Sequence, residues 1–95
     1  MWKNLYVAGT FSSEGGIILA DEEYKEACRI TLEKCEKYYA ITCGVYGAMV
    51  HTVFADFDHG QNQYDAMKQE LQKFIDTDTT LDEEVSFYRA FTDKF

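Results

Sequence analysis

The chain of 95 residues contains no proline. X-Pro linkers, proline-rich ligand tracts and proline helix stops are therefore excluded. Bases are scarce: nine Lys and Arg face seventeen Asp and Glu, for a net charge of −8. So negative a surface repels nucleic-acid phosphates and anionic lipid head groups, and direct binding to DNA, RNA or a membrane is not expected. No long apolar run is present that could span a bilayer as a helix. The start, MWKNLYVAGTF, has one lysine and no long hydrophobic stretch, unlike a secretory signal, so the expected location is cytoplasmic. GxGxxG, GxxxxGK(S/T), GxSxG and HExxH are all missing, as is the D-x-D-x-D-G loop of an EF-hand. There is no internal repeat, low-complexity tract or linker, and one domain over residues 1–95 is expected.

Cysteines number three, an odd count that fits reduced thiols better than a disulfide framework. What the chain does have is apolar and aromatic material, 46% and 16%, enough for one small core.

Residues 3–10 alternate as a strand would. SSEGG at 12–16 is a turn cluster, and GIILAD reads as a second strand closing an N-terminal hairpin. Residues 22–39 are ambiguous. Tyr24, Cys28, Thr31 or Leu32, Cys35 and Tyr39 have helical spacing, with Asp21 as a cap, whereas RITLE alternates with period two.

Neighbouring residues favour the strand reading. A hairpin turning at Glu36–Lys37 places Cys28 opposite Val45 and Ile30 opposite Cys43. A type II′ turn at Gly47–Ala48 then places Cys43 opposite Thr52 and Ile41 opposite Phe54. One face of this three-stranded meander becomes almost wholly apolar, running through Ile30, Leu32, Ile41, Cys43, Val45, Val50 and Phe54. The opposite face is mixed and carries Arg29, Thr31, Thr42, Gly44, Tyr46, Met49 and His51.

After a loop at FDHGQN, the stripe Tyr64, Met67, Leu71, Phe74 and Ile75 predicts a helix over 61–76, capped by Asn62 or Asp58. Thr80 and Glu83 have capping-box spacing, and Leu81, Val85, Tyr88, Phe91 and Phe95 predict a last helix; VSFYRAF as a strand is the rival. The expected fold is α+β: an antiparallel meander of about five strands with one or two helices on one face. If 22–38 is helical, a ferredoxin-like βαββαβ order follows instead.

Cys43 falls on the apolar face, where burial makes a thiol inert, so it reads as core filler. Cys28, Cys35, Cys43, His51 and His59 are spaced seven, eight, eight and eight apart, without the tight pairs of a structural zinc site. No metal and no cofactor are expected. The acids at 21–26 and 76–84 read as a solvated surface. The site candidates are His51, Tyr46, Gly44, Thr42, Arg29 and Thr31, all expected on the mixed face, with Gly44 opposite His51 clearing space for a ligand or backbone.

Two functional readings follow. The first is a small, acidic, non-enzymatic interaction domain binding a basic protein partner, in its specific form an inhibitor or immunity-type protein whose acids stand in for phosphates. The alternative is a small-molecule binding or catalytic module on the mixed face around Tyr46 and His51, closed by homodimerisation.

Overall fold

The computed structural model describes residues 1–5 and 15–95. Among these, five strands and two helices follow in order: β1 Trp2–Asn4, β2 Ile17–Tyr24, β3 Cys28–Lys34, β4 Tyr39–Val45, β5 Met49–Ala55, α1 Gly60–Ile75 and α2 Leu81–Lys94. The strands lie in chain order within one sheet, and every neighbouring pair is antiparallel. This is the expected α+β meander with helices on one face. Of the first expected strand, 3–10, and the turn at 12–16, residues 6–14 lie outside the described residues. No helix among the described residues is long and apolar enough to cross a membrane.

The ferredoxin-like alternative is not adopted, because β2 and β3 form a hairpin where it needs a helix. Their turn is closed by the Ala27 N–H donating to the Tyr24 carbonyl at 2.9 Å, with both Lys25 and Glu26 at positive φ (52° and 55°). A type I′ turn requires those angles, but normally recruits Asn and Gly for them. Two good helix formers hold the left-handed region here, which is why the segment also reads as helix. Asp21, the expected helix cap, instead sits in the middle of β2. A β-bulge interrupts β2 between Ile18 and Ala20.

The β3–β4 register is as expected: Cys28 opposes Val45, Ile30 opposes Cys43 and Leu32 opposes Ile41. The β4–β5 register is one residue away from the expected one. Val45 opposes Met49, Cys43 opposes His51 and Gly44 opposes Val50. Gly47 is not the first residue of a two-residue turn. It is the third residue of a Val45–Ala48 turn, at φ +77°, with Ala48 N–H donating to the Val45 carbonyl. That third position needs positive φ and so selects glycine. Because strand side chains alternate, the slip turns all of β5 over. Met49, His51 and Val53 join the inner face, and Val50, Thr52 and Phe54 point outward.

Two helices lie over the inner face. On α1, Tyr64, Met67 and Leu71 are buried against Ile30, Leu32, Ile41 and Cys43. Full burial of side chains of this kind stabilises by roughly 1.5–3 kcal/mol each. α1 is fastened to β2 by polar contacts: Tyr64 Oη and Lys68 Nζ both donate to the Glu22 carboxylate, at 2.5 and 2.8 Å. The expected caps Asn62 and Asp58 do not serve. Asp56 Oδ1 instead accepts from the backbone N–H groups of Asp58 and His59 just before the helix.

At α2 the capping box forms as predicted. Thr80 Oγ1 accepts from the Glu83 N–H at 3.2 Å, and the Thr80 N–H donates to Glu83 Oε1 at 3.1 Å. The packed stripe is rotated from the expected one: Leu81 and Val85 are exposed, while Phe87, Tyr88, Phe91 and Phe95 face inward. Phe87 stacks on Phe74 of α1 at 4.0 Å, and Phe91 meets His51 edge-on at 6.2 Å.

Candidate functional site

The outer sheet face is the candidate site. Its β2–β3 half is largely closed: Ile18, Asp21 and Glu33 are buried, and so is Ala40 beside them on β4. Asp21 is wholly buried yet well satisfied. Arg29 donates to it through Nε at 2.8 Å and Nη2 at 2.6 Å, and Thr31 Oγ1 lies at 3.1 Å. This two-pronged contact fixes the Arg29 guanidinium, itself about half exposed. The Asp21 bonds raise the Arg29 pKa further, so it is a permanent cation.

The β4–β5 half is open. Val50 is 81% exposed and Phe54 61% exposed. Phe54 meets Tyr38 edge-on at 5.3 Å, and the Thr42 and Thr52 hydroxyls hydrogen-bond across the strands at 3.2 Å. Tyr46, at the β4–β5 turn, reaches back across β3 and donates its hydroxyl to Glu23 of β2 at 2.5 Å. Partial desolvation and that carboxylate push the Tyr46 phenol up to about 12, so it remains a protonated donor at neutral pH. Beneath it lies a depression of about 530 Å³, lined by Arg29, Thr31, Thr42, Gly44, Tyr46 and Val50 among others.

Five of the six sequence candidates thus converge: Arg29, Thr31, Thr42, Gly44 and Tyr46 all line this depression. His51 does not. The β5 slip carries it to the inner face, opposite Cys43 and against Phe91, and its Nε2 is buried without a hydrogen-bond partner among the described residues. The space above Gly44 is bordered instead by Val50 and the Met49 carbonyl, which a Cβ at Gly44 would meet at 2.9 Å. Val50 and Phe54 are the members that sequence reasoning placed in the core. Their signal was an apolar pattern on both faces of MVHTVFA, which leaves either face able to turn inward.

Cys28 and Cys43 offer no reactive thiol here. All three cysteines are buried and none is in a disulfide, and burial pushes Cys28 up to about 11 and Cys43 up to about 12. A thiol so raised holds its proton at neutral pH and is a poor nucleophile. Among the described residues no group of three or more His, Cys, Asp or Glu is arranged to hold a metal ion. Chemically, the outer face offers a fixed cation, hydroxyl donors and acceptors, and an exposed apolar ridge. Compared with known proteins, the chain matches no family model, no curated protein and no solved structure.

Proposed function

We propose that this chain is a non-enzymatic interaction domain that docks a basic protein on the β4–β5 half of its outer sheet face. The observation that carries the reading is the outward exposure of Val50 and Phe54 on a side of the sheet that neither helix covers. Contiguous exposed apolar groups with a polar rim mark interaction surfaces. Thr42, Tyr46 and Arg29 supply that rim, Thr52 lies between the two apolar side chains, and aromatic residues such as Phe54 and Tyr38 are favoured at contact centres.

Charge argues for the partner's sign. A net charge of −8 attracts a cationic protein over several ångströms and raises its encounter rate, while the apolar ridge supplies short-range contact. An inhibitor or immunity-type role, in which this domain occupies the phosphate-binding surface of a basic enzyme, is the specific form of this proposal.

The experiment is affinity capture on the immobilised chain with a Val50→Asp/Phe54→Asp double variant alongside. The reading expects a basic protein bound at low salt, weakened by added salt, and lost from the double variant. Retention by the double variant, or binding indifferent to salt, overturns it.

A second reading is favoured by the depression itself, whose volume is within the range of small-ligand pockets. Here Arg29 would take an anionic or carbonyl group, and Thr42 and Tyr46 would orient the rest. A thermal-shift screen tests it: stabilisation by a small anion in the parent that disappears in Arg29→Gln supports it, and equal stabilisation of both proteins rejects it.

A further inference from the structure

We infer that the outer edge of β5 pairs antiparallel with β5 of a second copy of this chain, about a two-fold axis through Thr52. The inference goes beyond the basic partner and does not rest on it.

Sheet order ends at β5, and on its outer side no described strand pairs with it. Seven residues long, MVHTVFA has no proline, no lysine, no acid and no bulge. Those are the devices by which natural edge strands block pairing, and β5 uses none of them. The opposite edge strand, β1, is only three residues long. α2 meets β5 from the inner face, through Phe91 on His51.

The occupant follows from the strand's own symmetry. A two-fold contact requires a self-complementary surface. Antiparallel pairing centred on Thr52 sets Val50 of each copy opposite Phe54 of the other, with Thr52 opposite itself. The two most exposed apolar side chains of β5 thereby become cross-strand neighbours twice over, a pairing of aromatic with β-branched residue that stabilises sheets. On the inner side His51 faces Val53. No formal charge lies within the paired strands, so the self-repulsion of two chains at −8 acts only from a distance and is screened by salt. Dimerisation should therefore strengthen with salt, opposite in sign to capture of a basic partner.

The test places single cysteines on β5 and oxidises the folded protein, with the native thiols buried and out of competition. Opposed residues of an antiparallel pair lie within disulfide range, so Thr52→Cys should link to itself. Two Val50 positions would be roughly 13 Å apart along the strands and should not link. Thr52→Cys is expected to cross-link roughly tenfold faster than Val50→Cys, and the Val50→Cys/Phe54→Cys double variant should link as efficiently as Thr52→Cys. Comparable rates for the two single variants overturn the register. Wild-type chain that stays monomeric by light scattering at high concentration and high salt overturns the dimer itself, whatever the variants do. Thr52→Lys provides the converse: it lowers the net negative charge yet sets two ammonium groups together at the axis, and the dimer should be lost. Wild-type dimer that survives Thr52→Lys unchanged rejects the axis. Because salt acts in opposite directions on the two associations, failure of one is distinguishable from failure of the other.

Discussion

Cys43 and His51 stand directly opposite each other on β4 and β5, both on the helix-facing side of the sheet. The thiol is protonated and buried among apolar groups, and the imidazole has one buried nitrogen, Nε2, without a hydrogen-bond partner among the described residues. Proximity alone therefore does not make a nucleophile and its base.

The first prediction concerns that nitrogen. A buried polar atom left unsatisfied costs about 1–3 kcal/mol, and replacing it with an apolar group of similar shape removes the cost. His51→Leu should leave stability unchanged or raise it by about 1 kcal/mol, read as the midpoint of urea unfolding at neutral pH. A loss above about 2 kcal/mol would mean that the imidazole makes a stabilising contact this arrangement does not contain.

How far the fold was legible in the sequence turns on two hairpins. Glu36 and Lys37 at the tip of β3–β4, with alternating Ile30, Leu32, Ile41 and Cys43, admit one register, and the structure has it. β5 does not constrain itself so tightly. Met49 and Val53 form an apolar side, and Val50 and Phe54 form another, so both registers make an apolar inner face and only the turn decides. The site inherits this division. Arg29, Thr31, Thr42, Gly44 and Tyr46 belong to β3 and β4 or the turn after them, and they converge as expected, whereas His51 on β5 goes to the other side. On α2, Tyr88, Phe91 and Phe95 pack inward as expected, while Leu81 and Val85 stay exposed and Phe87 packs through the Phe74–Phe87 stack, a contact between distant residues.

Gly60 opens α1 directly above Tyr39. A Cβ there would overlap Tyr39 Cδ2 and lie 2.7 Å from Cγ, too close for the ring to remain where it is. Tyr39 is also held edge-on by Phe57 at 5.2 Å, so the ring cannot move freely. Gly60→Ala should destabilise by about 1–3 kcal/mol despite the better helix propensity of alanine. Tyr39→Leu should erase most of that penalty in a double-mutant cycle. An undiminished penalty in the Tyr39→Leu background would place its cause elsewhere.

The Arg29–Asp21 pair is asymmetric, because Asp21 is buried and Arg29 is about half exposed. Removing the arginine strands a carboxylate inside the protein, whereas removing the carboxylate leaves a guanidinium that water can solvate. Arg29→Met should therefore cost about 3 kcal/mol, and Asp21→Asn, which keeps a partner for Thr31, about 1–2 kcal/mol. Chemical denaturation of both variants gives the comparison. Equal costs, or a larger one for Asp21→Asn, would contradict the burial argument.

Asp76, just beyond α1, ties the helix layer to the β2–β3 turn. It accepts from Lys25 Nζ at 2.6 Å and from Tyr24 Oη at 2.8 Å. The Lys25 contact first, and Tyr24 second, hold its carboxyl below the usual range, while Lys25 is raised by the same contact. A depressed carboxylate pKa contributes stability that is present above the unfolded value, near pH 4, and lost as pH falls through the folded value. For the raised lysine the contribution is present below its unfolded value, near pH 10, and lost as pH rises through the folded one. The difference in unfolding midpoint between parent and Asp76→Asn should thus be flat from about pH 5 to 9 and shrink on both sides of that window. Both groups are exposed, so added salt should narrow it throughout. A difference that persists undiminished at pH 2 would show that Asp76 acts through its shape and hydrogen-bonding oxygen and not through its charge.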